Sequence, residues 1–428
     1  MAAAELERGS PRTILVVGGG IAGMTTAIEA AEVGYDVILV ERRPYLGGRV
    51  AQFYHYFPKL CPPSCGLEIN FRRIKQNERI RVLTQAEVEK ISGGPGAYQV
   101  TIKQKPRFVN ERCTACGDCE KVCEIEVDDE FNYGHGKKKA VHLPHEMAFP
   151  YRYVVKAEHA RDPRLKACVE ACKYDAIDLE MAPQTIELTV GAVVCATGWR
   201  PYDATNLDNL GYNDYADVIT NVEMERFAAP SGPTGGKIMQ ISTGQPVGSV
   251  AFVQCAGSRD ENHLPYCSAV CCLASMKQAS YVREAHPDAE IHIFYIDLRT
   301  PGRLEDFYNR FKDDKKIHWH RGKVGKVGKV GGTNGSRLTV EAEDTLTGTI
   351  TTAEVDLVVL ATGMVPETDA LPQNAPVALD DFGFVRTDDG VPAGVIGAGT
   401  VTQPLEVSCS IQDATGAALK AIHQLGRE

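Results

Sequence analysis

The chain has 428 residues, 43% hydrophobic and 24% charged, the balance of a folded globular protein with room for about two or three domains. A net charge of -10 argues against a general nucleic-acid binder, and no apolar run reaches the ~18–20 residues of a membrane span. Met1-Ala-Ala-Ala-Glu-Leu-Glu-Arg8 lacks the basic start and apolar core of a signal peptide, so the expected setting is the cytoplasm, where thiols stay reduced. Fourteen cysteines in that setting point to metal or redox chemistry.

Residues 13–18 form a short apolar run ending in glycine, the pattern of a buried parallel strand. Gly18-Gly-Gly20-Ile21-Ala22-Gly23 follows as G-x-G-x-x-G. A helical segment from Met24 to Val33 comes next, then a second strand, Asp36 to Val40, ending in Glu41. That context predicts a dinucleotide site. The glycines permit the turn and a close approach to pyrophosphate, the helix N-terminus faces the phosphates, and Glu41 accepts from ribose hydroxyls. Arg42-Arg-Pro-Tyr-Leu-Gly47-Gly48-Arg49 resembles the flavoprotein continuation, in which a glycine pair runs under FAD. Thr84-Gln-Ala-Glu-Val88 resembles the strand whose backbone meets the adenine. Between these segments, Cys61-Pro-Pro-Ser-Cys65 reads as a redox disulfide near the flavin, a source of ligands, or two buried thiols.

Cys113-Thr-Ala-Cys116-Gly-Asp-Cys119-Glu-Lys-Val-Cys123 is C-x2-C-x2-C-x3-C, the run that wraps an iron–sulfur cube. A zinc site is the other reading, but zinc sites usually pair two distant C-x-x-C units. The insert closes with Cys168-Val-Glu-Ala-Cys172. In two-cluster ferredoxins the fourth cysteine of each motif serves the other cluster. A second cluster here needs cysteines where Asp162 and Leu165 stand. The simplest count is one cluster on Cys113, Cys116, Cys119 and Cys172, with Cys123 as the alternative fourth ligand and a degraded second cluster as a further alternative. Lys137-Lys-Lys139 with His135, His142 and His145 reads as a solvated loop or a docking patch for an acidic partner.

Ala192-Val-Val-Cys-Ala196-Thr197-Gly198 and Asp356-Leu-Val-Val-Leu-Ala361-Thr362-Gly363 match each other. They resemble the crossing points between the nucleotide domains of glutathione-reductase-like flavoproteins. Ser249 to Cys255 predicts another buried strand, but a second G-x-G-x-x-G does not follow. Cys255-Ala-Gly257-Ser-Arg259-Asp stands in its place, then Cys267 and Cys271-Cys272, opening a helix through Arg283. Four cysteines at one strand end and one helix start favour a ligand set over buried small hydrophobes. Glu290 to Ile296 keeps a βαβ outline, and the repeat from Gly322 to Gly332 reads as strand and turn with a lysine face. Gly394-Val-Ile-Gly397-Ala-Gly399-Thr400 sits where such flavoproteins have glycine–aspartate for the ribityl chain, with Thr400 in the aspartate's place.

Cys255-Ala-Gly-Ser-Arg-Asp, Tyr266-Cys267-Ser-Ala-Val-Cys271-Cys272 and Phe294-Tyr-Ile-Asp-Leu-Arg-Thr-Pro301 together resemble the A subunit of heterodisulfide reductase over nearly the whole chain. The short length and the Cys61-Pro-Pro-Ser-Cys65-Gly pattern resemble most the A subunit of the quinone-interacting membrane-bound oxidoreductase of sulfate reducers. The resemblance implies an α/β, two-domain, glutathione/thioredoxin-reductase-like flavoprotein of Rossmann type with an inserted ferredoxin-like segment. Its expected parts are a discontinuous FAD domain (1–105, 181–245 and 351–428), the insert (106–180) and a degenerate nucleotide domain (246–350). It implies FAD and two [4Fe–4S] clusters, one in the insert and one near the flavin on Cys255, Cys267, Cys271 and Cys272. The implied partners are a second flavin/iron–sulfur subunit, a haem-containing menaquinone-linked membrane subunit, and adenylylsulfate reductase. The chain itself is expected to lie peripherally on the cytoplasmic face, without inserting into the membrane or binding nucleic acid. The competing readings are another complex of the heterodisulfide-reductase type, bifurcating or not; a free NAD(P)H-dependent disulfide reductase using Cys61 and Cys65; and a silent cluster scaffold. No acid–base triad is legible, so the catalytic side chains are unassigned.

Overall fold

Runs of Val, Ile and Leu with no polar alternation have no face to offer to water, so they bury as parallel strands. The computed structural model describes residues 9–330, 337–387 and 394–426. In it, Ile396–Gly397, Ala192–Cys195, Thr13–Val17, Asp36–Glu41 and Ile80–Thr84 form, in that spatial order, one five-stranded parallel sheet. The helix Ile21–Glu32 follows the first strand, three residues earlier at its start than the apolar pattern predicts. Strands Ala86–Ser92, Tyr98–Gln104 and Gln184–Val190 form an antiparallel sheet. Alternation decides which of its faces is buried: Tyr98, Val100 and Ile102 point into a core with Leu15, Val17, Ile38 and Val40.

The same plan occurs a second time. Val218–Thr220, Leu357–Thr362, Ser249–Ala256, Glu290–Tyr295 and Ile317–Arg321 form another five-stranded parallel sheet. Val324–Lys329, Leu338–Glu343 and Ile350–Val355 form its antiparallel companion. Val324 and Val327 are buried while Lys323 and Lys326 are exposed, so the glycine–lysine repeat is a strand with a lysine face as far as Lys329, and Val330 begins a turn. Its remainder, to Gly332, lies outside the described residues.

Packing divides the chain into one unit of 1–51, 63–199 and 366–428 and another of 52–62 and 200–365. The expected outer segments 181–245 and 351–428 are therefore each cut. Residues 200–245 and 351–365 go with the second unit because Val218–Thr220 and Leu357–Thr362 hydrogen-bond into its sheet. The excursion 52–62 is held there by a buried ion pair. Lys277 Nζ lies 2.9 Å from Glu225 and donates to the His55 carbonyl, while Glu225 accepts from the Tyr54 amide. The chain returns to the first unit between Cys61 and Cys65. Cys61 is half-buried, and Cys65 is exposed at the start of the helix Ser64–Gln76.

Residues 106–180 belong to the first unit but have a core of their own, built from Val109, Ile125, Val141, Tyr153, Val155, Leu165 and Ile177. Two short hairpin-like sheets, Glu126–Asp128 with Lys137–Lys139 and Val141–His142 with Val154–Val155, frame it. Lys137, Lys138 and Lys139 pair with Asp128, Asp129 and Glu126. His142 is buried against the Lys139 carbonyl, and His145 stacks on Phe131 at 4.6 Å. The structure therefore favours internal ion pairs and packing over a free basic patch. Among the described residues, no helix is long and apolar enough to cross a membrane.

The fingerprint turn permits one sharp prediction. Gly18 has φ +110°, and a Cβ at Gly23 would stand 1.8 Å from the Gly18 carbonyl oxygen. Gly23→Ala is expected to cost roughly 1–3 kcal/mol or more through overpacking. It should lower both the melting temperature and the bound-flavin content of the purified protein. Unchanged values for both would show that the turn is looser than this contact implies.

Candidate functional site

The first unit carries a cleft of about 400 Å³ at the ends of its parallel strands. Gly18, Glu41, Arg42, Val88 and Thr197 line it, together with residues 369–373. The location is where open α/β sheets bind nucleotides. Gly20 begins the helix Ile21–Glu32 without a side-chain cap, so the first helical N–H groups stay available to an anion. Glu41 is buried and accepts from the Gly19 amide at 2.7 Å and the Arg43 amide at 2.7 Å. Burial raises its pKa, against the lowering pull of those two amides and of Arg43 and Arg42. Its carboxylate thus locks the acid strand to the glycine turn at the mouth of the cleft.

The remaining expected contacts surround the same turn. Gly47 N donates to Gly19 O at 2.8 Å, and Gly48 comes so close that a Cβ there would lie 2.9 Å from Gly20 Cα. Ala196 N donates to Val17 O, which brings the segment Ala196-Thr197-Gly198 to the fingerprint strand. Gly399 packs on Ala22, with 2.5 Å between its would-be Cβ and the Ala22 Cβ. Arg49 donates to the Trp199 carbonyl at 2.6 Å and lies over that ring at 5.1 Å, and burial lowers its pKa. Arg42 pairs with Glu367 at 3.3 Å.

Two residues escaped the sequence reading. Asp413, on the last helix (Val407–Leu425), accepts from Gly399 N at 2.6 Å, beside the position where Thr400 replaces the expected aspartate. Glu367 fixes Arg42. Both lie far from the fingerprint in sequence, and no local motif marks them.

The insert gathers a second constellation. Cys113, Cys116, Cys119 and Cys172 line one small cavity with Val109, Tyr153 and Tyr174. Ala115 and Gly117 take positive φ, +56° and +83°, which bends the loop around the cavity. The Cys119 thiol is pushed up to about 12, first by burial and then by Cys113, Cys172 and Cys116. Cys123 is directed elsewhere. It and Cys168 are buried together, and burial followed by Cys123 pushes the Cys168 thiol up to about 12. Leu165 is fully buried beside them, and Asp162 caps Arg164 N and pairs with the Arg164 side chain. The positions that a second cluster needs are thus occupied by packing and capping residues.

The second unit holds the third constellation. The strand Ser249–Ala256 ends on Cys255, whose φ is +57°, and Cys271 and Cys272 open the 15-residue helix Cys271–Ala285. Burial is the first cause raising the thiol pKa at Cys255, to about 11, and at Cys271 and Cys272. Neighbouring sulfurs of the set add to it, so Cys255, Cys267, Cys271 and Cys272 share one neighbourhood. Two arginines flank them. Arg259 pairs with Asp297 at 2.5 Å and hydrogen-bonds Cys255, and Arg299 interacts with Cys267 and Cys272.

Among the described residues, no three His, Cys, Asp or Glu side chains converge on a single-ion centre. A structural zinc ion draws four ligands to about 2.3 Å of one point. An iron–sulfur cube instead takes thiolates on separate irons. Cysteines spread around a cavity, as Cys113, Cys116, Cys119 and Cys172 are, fit the cube.

Two parallel sheets, a fingerprint turn and a cleft at the strand ends define the class as a dinucleotide-binding α/β protein of Rossmann type, and a family match makes it a flavin-type oxidoreductase. The FAD dependent oxidoreductase family matches residues 13–60. Among solved structures, thioredoxin reductase of Lactococcus lactis superposes with a TM-score of 0.54 at 14% identity, covering 97% of this chain and 100% of that one. Thioredoxin reductase of T. acidophilum superposes at 0.51 and 16% identity, with coverages of 97% and 98%. These likenesses show the fold. Sequence relatives narrow the likeness, and the chain is similar over nearly its whole length to A subunits of heterodisulfide reductases. The iron–sulfur A subunit of a CoB–CoM heterodisulfide reductase from Methanopyrus kandleri is 38% identical over 95% of this chain and 63% of its own length. The A subunit of a ferredoxin/F(420)H(2)-dependent CoB–CoM heterodisulfide reductase from Methanosarcina acetivorans is 36% identical over 97% of this chain and 53% of its own length. The chain thus spans between half and two thirds of these relatives.

The insert cavity makes a testable distinction between sulfurs. Cys172→Ser and Cys116→Ser are each expected to remove the insert's iron while the flavin-to-protein ratio holds. Cys123→Ser is expected to keep that iron. Iron analysis and low-temperature EPR on the three variants check this. Iron retained in Cys172→Ser but lost in Cys123→Ser would make Cys123 the fourth ligand.

Proposed function

We propose that this chain is an electron-transfer subunit that binds FAD in the cleft of its first unit and [4Fe–4S] clusters on its two cysteine sets. The observation that carries this reading is the cavity lined by Cys113, Cys116, Cys119 and Cys172 in the same folded unit as the dinucleotide cleft. When bound, flavin supplies the conversion between two-electron and one-electron carriers, and clusters carry single electrons. The chain's own residues bind and orient. The open N-terminus of Ile21–Glu32 takes the pyrophosphate, Glu41 the ribose, and Asp413 fixes the backbone at Gly399. In the second unit, the N-terminus of Cys271–Ala285, Arg259 and Arg299 supply positive potential to an anionic thiolate-ligated group.

Two readings of the wider complex follow. The first is a role in relaying electrons between a quinone-linked partner and a soluble reductase in sulfate respiration. Its partners are a second flavin/iron–sulfur subunit, a haem-containing menaquinone-linked membrane subunit, and adenylylsulfate reductase, and it sits peripherally on the cytoplasmic face. It rests on the Cys61-Pro-Pro-Ser-Cys65-Gly resemblance. The second is a flavin subunit of the heterodisulfide-reductase type in another electron-transfer or bifurcating complex, which fits the relatives equally well. A free NAD(P)H-dependent disulfide reductase fits less well, because the second unit's strand runs into Cys255 where a nicotinamide fingerprint needs glycine.

Anaerobically purified protein is expected to show flavin bands and a broad cluster shoulder. Acid precipitation should release FAD, and NADH should leave the spectrum unbleached. The Cys267→Ser/Cys271→Ser double variant should lose roughly four irons per chain, as one cube requires. Full iron retention in that variant, with rapid NADH bleaching of the wild type, would return the second unit to nicotinamide binding. Isolation of the native complex and identification of its subunits distinguishes the two wider readings.

A further inference from the structure

Arg107 stands at the root of the insert with its side chain buried, and among the described residues no carboxylate pairs with it. Its guanidinium donates only to backbone carbonyls: Nε to Tyr153 at 2.8 Å, Nη1 to Pro44 at 2.7 Å and Nη2 to Arg152 at 2.6 Å. Carbonyl dipoles satisfy its N–H groups but do not cancel its charge. A buried cation without a counter-ion is among the costlier features a fold can hold. Nearby charges increase the cost. Arg152 is like-charged, and its nearest acid, Glu111, is 3.9 Å from it and almost fully exposed. Burial, followed by Arg152, lowers the Arg107 pKa to about 9, and the one group opposing them is Cys113.

The three carbonyls show what the charge faces. Tyr153 and Val109, two residues beyond Arg107, line the cavity of Cys113, Cys116, Cys119 and Cys172. Pro44 lies on the loop that runs from Glu41 to Gly48 across the fingerprint turn. Arg107 therefore braces the wall of the sulfur cavity, at Tyr153, against the dinucleotide loop, at Pro44. Metal groups bind cysteine as thiolate, so loading the cavity brings negative charge to its wall. The missing counter-charge then arrives with the cluster.

We propose that Arg107 is the built-in counter-charge of the insert cluster, a positioning residue that holds the cavity wall and raises the cluster's reduction potential. The proposal rests on the cluster reading given above. A fixed cation beside an anionic cluster favours the form with one more electron, so removing the cation lowers the midpoint.

The test is an EPR-monitored redox titration of the complete, cluster-loaded protein as wild type, Arg107→Gln and Arg107→Lys. Arg107→Gln is expected to keep its iron and flavin while the insert midpoint shifts downward beyond the scatter of replicate titrations. Arg107→Lys, which keeps the charge and loses the fork, should restore most of that shift. If Arg107→Gln does not fold, Arg107→His carries the test. Its midpoint should rise as pH falls below the free imidazole range near ~6.5, since burial lowers the pKa at which the side chain charges. Retained iron with an unmoved midpoint overturns the proposal, as do equal shifts in Gln and Lys or a pH-independent His variant. Wild-type protein without insert iron overturns the cluster reading itself, and the role of Arg107 with it.

Discussion

The first unit depends on one approach that only hydrogen permits. Where the fingerprint strand turns into its helix, the Gly18 carbonyl points at Gly23 with no space for a methyl group. The strand end and the helix start are thereby pinned together, and the helix N-terminus is aimed into the cleft. The neighbouring contacts inherit that position. Glu41 reaches the Gly19 amide, the glycine pair at Gly47 crosses the turn, and Gly399 settles on Ala22. Displacing the turn would disturb every one of these.

Buried charge is the second organising problem. Burial raises the thiol pKa at Cys119 in one cysteine set and at Cys255, Cys271 and Cys272 in the other. A set that takes up an anionic metal group, as proposed for both, needs positive potential fixed in advance. The two sets obtain it differently. At Cys271 it comes from a helix start with two flanking arginines, Arg259 and Arg299. In the insert, whose helix Asp118–Lys121 is a single turn, it comes from the isolated guanidinium of Arg107.

The parallel strands and the fingerprint were legible because their signals are local: an apolar run, glycines at fixed offsets and an acid at the next strand end. The four cavity sulfurs were legible by spacing and by the absence of cysteine at Asp162 and Leu165. The unit boundaries were not. Nothing in residues 52–62 announces that a buried Lys277–Glu225 pair, more than 160 residues away, will hold them in the second unit, a separation read directly from the numbering. Asp413 and Arg107 were illegible for the same reason, since their partners are backbone groups brought near only by the finished fold.

The way the insert is joined to its host has a consequence for assembly. Asn110 N donates to Ala176 O and Asp178 N to Phe108 O, so the two ends of a long excursion are zipped together by backbone pairing. Loop-closure entropy grows only slowly with length. A mouth fastened in this way lets the host sheet close almost as if a tight hairpin stood there. The insert, with its own core, can then open and close as a separate cooperative element. On the proposed cluster reading, metal loading is thereby uncoupled in time from folding of the sheet. The sulfur cavity can be filled, emptied or repaired on a chain whose nucleotide cleft already exists.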